Sequence, residues 1–148
     1  MSRQIAGDEQ EDTVTTEILV PTYIAHRLSR GNRKDNLRSA ARWVAWLSRR
    51  YRIEPVCPWI VLASQWPESR RRLGLEIDLA AVWRCQVFIG VGPEWSTGMK
   101  VELKEFVRAG RFRSELGVGM VSLVGLPLPT TRPDAVDKRV LESGIGKR

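Results

Sequence analysis

Short apolar runs recur along the chain and are separated by more polar stretches. Four of them, "EILVPTYIA" (17–25), "IEPVCPWIVLAS" (53–64), "QVFIGVG" (86–92) and "GVGMVSLVGL" (117–126), are nearly continuous and contain many β-branched residues. Continuous apolar runs of this kind are typical of strands buried on both faces of a parallel sheet. The pattern therefore predicts four strands.

The stretches between these runs have the apolar spacing of helices. The first covers 36–51, with Asn36 or Asp35 as the expected N-cap, and the others run over 67–85 and from about 98 to 109. Strands that alternate with helices predict an α/β fold. We expect a flavodoxin- or Rossmann-like three-layer sandwich with a parallel sheet of four to five strands.

The two ends of the chain depart from this pattern. Residues 1–16 are polar and acidic and predict a disordered leader, whereas residues 17–128 carry the strand and helix signals of one domain. Residues 129–148 are expected to form a polar C-terminal tail with room for one short helix.

Charge is unevenly distributed along the 148 residues. The net charge is +7, but residues 1–17 carry one arginine and five carboxylates, a net of −4, so the rest of the chain is at +11. A basic body suits a phosphate-bearing ligand or nucleic acid, and a merely soluble basic surface explains it equally well. Nucleic acid is not the expected partner, because the arginines are dispersed and no reading motif accompanies them.

Composition narrows the class of protein further. The apolar runs are far shorter than the roughly 20 residues of a membrane span, and no signal peptide is recognisable, so we expect a cytoplasmic protein with no membrane partner. Two cysteines, Cys57 and Cys85, and a single histidine, His26, make a disulfide framework, a metal site and a Ser-His-Asp triad poor explanations. We expect neither a metal nor a cofactor.

The segment "GPEWSTG" (92–98) lies where ligands bind in parallel α/β sheets, beyond the carboxyl end of a strand. Ser96 and Thr97 offer hydroxyl groups, Gly98 permits close backbone approach, and the amides at a helix start favour an anion. Helix capping alone also explains these residues.

Two carboxylates are placed to act near this segment. Glu102 lies four residues after Gly98, about one helical turn into the helix, and Asp78 interrupts the apolar stretch "LEIDLAAVW". A pair of carboxylates suits glycosidic chemistry, in which one attacks the anomeric carbon and the other manages the leaving group. The competing interpretation is that both are ordinary surface carboxylates.

The ordered string "YIAH…N…AARWVAWL…PVCPWI…EIDLAAVWRCQVFIGVG…STGMKVE" resembles the nucleoside 2-deoxyribosyltransferase-like superfamily over roughly residues 18–110. The resemblance implies that Glu102 attacks C1′ to form a glycosyl-enzyme ester. It also implies that Tyr23 hydrogen-bonds and orients Glu102, and that Asp78 contacts the base or the sugar. Asn36 matches the asparagine that opens the first helix in this superfamily.

The same resemblance indicates a substrate. Members that exchange bases between nucleosides tend to carry an acid six residues before the nucleophile, whereas members that hydrolyse monophosphates carry serine, and here that position is Ser96. A hydroxyl with free amides accommodates a phosphate that an acid would repel. A nucleoside 5′-monophosphate is therefore the expected ligand, and a homodimer the expected assembly.

Several residues depart from the superfamily pattern. His26 and Arg27 stand where Gly-Pro is usual, so Arg27 is a candidate contact for a phosphate or base and His26 is either a binding residue or a packed loop residue. Trp59 and Trp95 are candidates for stacking on a base or for covering the core.

Three functions remain open from the sequence. The leading one is cleavage of the N-glycosidic bond of a (deoxy)nucleoside 5′-monophosphate. The alternatives are base exchange by a nucleoside 2-deoxyribosyltransferase and a nucleotide-binding module without turnover.

Overall fold

A computed structural model describes residues 18–113, 119–128 and 132–148. Within them four parallel strands form one sheet in the order β2-β1-β3-β4. The strands are β1 (Val20–Ala25), β2 (Ile53–Val56), β3 (Val87–Gly90) and β4 (Gly119–Ser122). The predicted leader, 1–16, and the first two residues of the predicted fourth strand, 117–118, lie outside the described residues.

Five α-helices and one short 3₁₀ turn, Glu68–Arg70, connect and flank these strands in the described parts of the chain. The helices are α1 (Arg33–Arg50), α2 (Pro58–Gln65), α3 (Arg71–Val82), α4 (Thr97–Arg113) and α5 (Asp134–Glu142). None of these helices is both long and apolar enough to cross a bilayer.

The helices cover both faces of the sheet, which confirms the predicted α/β three-layer sandwich. Ile24 and Ile89 face one side, where α1 and α5 supply the buried partners, and Tyr23 and Phe88 face the other, against α2, α3 and α4. Successive residues of a strand point to opposite faces, so each strand is apolar on both sides. Tyr23 and Phe88 are paired in the register, with ring centroids 5.5 Å apart.

The second predicted strand is wrong beyond its first four residues. The sequence predicts a turn bracketed by Pro55 and Pro58 at the end of this strand; instead, β2 ends at Val56 and Pro58 opens α2. Proline suits the first position of a helix, since its fixed φ fits and its missing N–H would have no helical partner. An apolar run of this length is equally compatible with a buried strand and a buried helix, so the spacing of its apolar residues does not decide between them.

The start of α1 also differs from the prediction. Asn32 is the N-cap, and its side chain accepts a hydrogen bond from the Asp35 amide at 3.1 Å. Asn36 is instead buried in the first turn, where its amide nitrogen donates to the carbonyls of Leu28 at 2.8 Å and Arg30 at 2.7 Å. Asn36 therefore holds the loop after β1 against α1.

The C-terminal segment contains the single helix anticipated there, and that helix belongs to the core. Val136 and Val140 of α5, and Ile145 beyond it, are buried against the strands. The backbone amide of Arg52 donates to the carbonyl of Gly146 at 2.9 Å, which fastens the chain end beside β2. Residues 129–131 of the predicted tail lie outside the described part of the chain.

This strand order creates a crevice. The connection from β1 leads to β2 on one side, and β3 lies on the other side of β1, so the helices that follow β1 and β3 lie on opposite faces of the sheet. Ligands in open parallel sheets bind at such a reversal, outside the carboxyl ends of the strands.

Candidate active site

A cavity of about 460 Å³ opens at this crevice. Pockets that hold small ligands have volumes in this range. Its walls come from the loop after β1, from α2 and α3, and from the start of α4. Eight of the ten residues predicted from the sequence line it: His26, Trp59, Asp78, Trp95, Ser96, Thr97, Gly98 and Glu102. Of the other two, Tyr23 lies beneath the cavity and Arg27 lies outside its lining.

Glu102 is buried on the inner face of α4, with only 7% of its surface exposed. The hydroxyl of Tyr23, which is fully buried on β1, donates a hydrogen bond to Glu102 Oε2. The two residues are 79 positions apart, and they meet because β1 and β3 are neighbours and α4 crosses the sheet beside them. This is the hydrogen bond that the family resemblance implied.

Asp78 supplies a second buried carboxyl in the same cavity. It lies on α3 with 8% of its surface exposed, and its Oδ1 atom has no hydrogen-bond partner among the described residues. Leaving a buried acceptor unpaired is costly, so such an atom indicates either a bound proton or a ligand that donates to it.

Burial raises the pKa of both carboxyls. It raises the pKa of Asp78 to about 7. Burial also raises the pKa of Glu102, and the nearby charge of Asp78 raises it further, whereas the Tyr23 hydrogen bond and the Arg71 guanidinium lower it. Two coupled carboxyls of this kind share a proton near neutrality. Only Glu102 has contacts that favour its charged form, a hydrogen bond from Tyr23 and the nearby Arg71 guanidinium.

Aromatic rings form much of the cavity wall. The Trp59 indole N–H donates to the carbonyl of Ile24 at 3.0 Å, and Trp95 stacks on Phe88 with centroids 6.4 Å apart and planes 11° apart. A Cβ on Gly90 would lie 2.6 Å from the Trp95 ring, so this indole position requires glycine there. Both tryptophans thus pack into the core with one part of the ring and border the cavity with another.

His26 is a packed loop residue that also borders the cavity. Its Nδ1 lies 2.6 Å from the carbonyl oxygen of Arg27, which can only accept, so Nδ1 carries the proton and Nε2 accepts from the Ser39 hydroxyl at 3.0 Å. Burial lowers the pKa of His26 and keeps the ring neutral. Both of its nitrogens are therefore engaged by the protein.

Arg27 is held away from the cavity. Its Nε donates to Asn36 Oδ1 at 3.1 Å, and its Nη1 donates to Glu94 Oε1 at 3.0 Å. Instead of presenting its charge to a ligand, Arg27 ties the loop after β1 to the loop after β3.

The segment before α4 does cap the helix. Ser96 Oγ accepts from the Met99 amide at 3.2 Å, and the first helical hydrogen bond runs from the Lys100 amide to the Ser96 carbonyl at 3.1 Å. The amides of Thr97 and Gly98 precede that first helical bond and face the amino end of the helix. Capping and anion binding are compatible here, because these two amides are not used by the cap.

Sequence reasoning missed the basic rim. Arg30, Arg33, Arg70, Arg71 and Lys100 all line the cavity. In the sequence these arginines are dispersed, and no motif marks them as part of a site. Arg70 ends the 3₁₀ turn and Arg71 begins α3, in the connection that leads from β2 through α2 to β3. That position in the strand–helix order was the available signal.

Metal binding has no support in the described residues, where no group of three His, Cys, Asp or Glu side chains could hold an ion. No protein-family model matches this sequence, and no curated protein matches it.

Proposed function

We propose that this protein cleaves the N-glycosidic bond of a (deoxy)nucleoside 5′-monophosphate, with Glu102 as the nucleophile. One observation carries the proposal: a buried glutamate, hydrogen-bonded by a buried tyrosine, shares a ligand-sized cavity with a second buried carboxyl, one oxygen of which has no partner among the described residues. Paired carboxyls in different environments suit an acid and a nucleophile acting on the same glycosidic bond.

In the first step, ionised Glu102 attacks C1′ while the bond from C1′ to the base nitrogen breaks. The Tyr23 hydroxyl orients the attacking carboxylate through its hydrogen bond to Oε2. Asp78 gives its proton to the departing base, so the base leaves neutral and Asp78 becomes a carboxylate. Burial of Asp78, which raises its pKa to about 7, keeps that proton available near neutral pH.

In the second step, water hydrolyses the ester between Glu102 and the sugar. Asp78, now ionised, accepts a proton from the water as its oxygen attacks C1′. The products are the sugar phosphate and free Glu102 carboxylate, and Asp78 regains the proton it gave up. A second base in place of water would give base exchange by the same intermediate.

The cavity chemistry supports a nucleotide over other glycosides. Trp59 and Trp95 border it with aromatic rings, which suit a planar base. Five basic residues line it against three carboxylates, Glu68, Asp78 and Glu102. A cationic rim favours a substrate that carries a phosphate.

We further propose a homodimer in a reducing, cytoplasmic setting. Leu73 and Ile77 of α3 and Val101 of α4 are exposed apolar side chains on the helices that border the cavity. Exposed apolar side chains on neighbouring helices suit contact with a second copy. Cys57 and Cys85 are not joined in a disulfide. Light scattering at two protein concentrations tests the assembly, and a mass equal to one chain at both would refute it.

Replacement of Glu102 tests the catalytic assignment. Glu102→Gln removes the nucleophile and retains the size of the side chain, so base release should fall by at least about a thousandfold. Chromatography of each common ribo- and deoxyribonucleoside 5′-monophosphate after incubation with protein measures the free base. A second added base and unphosphorylated deoxynucleosides in parallel reactions distinguish hydrolysis from exchange.

Glu105→Gln is the matched control, because Glu105 lies one turn further along α4 and binds Trp83 and Arg108 instead of the cavity. It should leave base release unchanged. Release at the wild-type rate by Glu102→Gln would rule out the proposed nucleophile. Nucleotide binding by the wild type with no base release would indicate a binding module.

A further inference from the structure

Arg71, the first residue of α3, extends across the entrance of the cavity. Its Nη1 donates to the hydroxyl of Ser29, in the loop after β1, and to Glu68 Oε1 at 3.1 Å. The side chain is half-exposed, so the guanidinium is anchored at one nitrogen and remains accessible to solvent. These two contacts hold Arg71 in an extended position over the site.

The second terminal nitrogen of Arg71 faces the start of α4. A Cβ built on Gly98 would lie 3.8 Å from Arg71 Nη2 and 4.0 Å from Ser96 Oγ. The gap above Gly98 is therefore bordered by a guanidinium, a hydroxyl and the first amides of a helix. Within the described residues, Nη2 has no protein acceptor. Each of these groups donates hydrogen bonds, and an anion is the ligand that accepts them together.

Two other arginines near the cavity are each held by protein partners at two guanidinium nitrogens. Arg27 binds Asn36 and Glu94, as described above. Arg33 pairs with Glu68 through Nη1 and donates from Nη2 to the carbonyl of Ala63 at 2.9 Å. Arg71 differs because its protein contacts use Nη1 alone, so Nη2 remains available toward α4.

Arg71 also acts on the charge balance of the site. Its guanidinium lowers the pKa of Glu102, so the two groups are close enough to interact electrostatically. A phosphate beside an ionised glutamate would be repelled without a cation nearby. Arg71 lies near both Gly98 and Glu102 and offsets that repulsion.

We propose that Arg71 selects phosphorylated substrates, with Nη2 and the amides of Thr97 and Gly98 binding the 5′-phosphate. This inference rests on the proposed nucleotide substrate, and it adds Arg71, which the sequence did not single out, to the predicted binding residues Thr97 and Gly98. Arg71 replaces Arg27, the arginine expected from the sequence, as the phosphate contact.

Binding measurements on the Glu102→Gln background test the assignment without turnover. Calorimetry with the four common deoxynucleoside 5′-monophosphates and the four matching deoxynucleosides separates the phosphate contribution from that of base and sugar. Arg71→Gln should weaken monophosphate binding by at least about tenfold, the usual effect of losing a charge-assisted hydrogen bond, and change deoxynucleoside binding by less than about twofold. Arg71→Lys should recover part of the loss, since it keeps the charge but not the planar fork.

Two further variants sharpen this test. Arg72→Gln is the matched control, because Arg72 is the exposed neighbour on α3 and does not line the cavity; it should leave both affinities unchanged. Gly98→Ala fills the gap with a methyl group and places alanine, a better helix former, in α4. The Gly98→Ala variant should fold normally. It should bind monophosphates more weakly than the parent protein and bind deoxynucleosides equally well.

The inference is overturned if no monophosphate binds, if Arg71→Gln weakens nucleoside and monophosphate binding equally, or if Arg72→Gln has the same effect. Base release is measured separately on proteins with Glu102 intact. If no base is released but Arg71→Gln still removes the preference for phosphate, the glycosidase function fails and the phosphate site stands.

Discussion

Two buried carboxyls line the cavity, and they differ in their immediate contacts. Glu102 accepts from Tyr23 and lies near Arg71, whereas Asp78 Oδ1 has no partner among the described residues. Two similarly buried carboxyls therefore differ in their surroundings, because only Glu102 has a hydrogen bond and a nearby cation that favour the charge which desolvation opposes.

Asp78→Asn should change how stability depends on pH. The pKa of Asp78 is raised from its ordinary 3.8 to about 7, so the folded protein holds this proton while the unfolded chain releases it. Stability conferred by the protonated form is therefore present at pH 4 and is lost as pH rises toward 8. The asparagine variant has no such loss, and its free energy of unfolding relative to wild type should rise by roughly 2–4 kcal/mol between pH 4 and pH 8.

Urea unfolding at pH 4, 6 and 8 measures this difference. Glu76→Gln, an exposed carboxylate on the same helix, serves as the control and should show no comparable trend. A constant difference between Asp78→Asn and wild type at all three pH values would mean that Asp78 is ionised in the folded protein.

The local pattern of apolar residues predicts the strands and helices, except where one apolar run is compatible with either a buried strand or a buried helix. The run after β2 illustrates this: Pro58 opens α2, and Trp59 then turns its indole toward the carbonyl of Ile24 on β1. Hydrophobicity shows that the segment after Val56 is apolar, but it does not decide between strand and helix. The packing of the segment beside β1 makes that choice.

Two glycines in neighbouring elements should respond oppositely to alanine. In β3, a Cβ on Gly90 would lie 2.6 Å from the Trp95 ring, so Gly90→Ala should cost roughly 1–3 kcal/mol and displace the indole. In α3, a Cβ on Gly74 meets nothing within 4 Å, so Gly74→Ala should stabilise the protein by roughly 0.5–1 kcal/mol.

Thermal denaturation compares the two variants, and near-ultraviolet circular dichroism follows the environment of Trp95. Stabilisation by Gly90→Ala would contradict the observed contact between this strand and the indole. Destabilisation by Gly74→Ala would mean that the helix cannot accept a side chain at that position.

A polar cluster links the C-terminal segment to the rest of the fold, on the face of the sheet opposite the helices that border the cavity. Asp137 of α5 receives two hydrogen bonds from Arg50, Nε at 2.7 Å and Nη2 at 2.6 Å, one from the hydroxyl of Tyr51, and an ion pair from Lys147 at 3.3 Å. These contacts join the end of α1, α5 and the last residues of the chain. The cluster holds the C-terminal segment in the fold.

Asp137→Asn should destabilise the protein by roughly 1–3 kcal/mol at pH 7, because its part-buried contact with Arg50 loses the charge of the carboxylate. The pKa of Asp137 is held far below its ordinary value, chiefly by Arg50. The stability it contributes is therefore present above pH 4 and lost as pH falls through the acidic range, so the penalty should shrink there.

Chemical denaturation at pH 7 and pH 3 measures the penalty, with Asp134→Asn as the control on the same helix, since Asp134 is exposed. A penalty that is as large at pH 3 as at pH 7 would show that Asp137 acts through packing and not through its charge.

Local pattern determined the α/β class, the four strands, and the spacing that puts Glu102 one turn beyond Gly98. These depend on backbone preference and on which residues avoid water, both of which are encoded within a few neighbouring positions. Tertiary structure alone decided that Arg27 turns away to Glu94 and that Arg71 crosses the cavity, and it forms the contact of Tyr23 with Glu102 that the family resemblance implied. Such contacts join segments far apart in the chain, and their distances depend on how whole helices pack against the sheet.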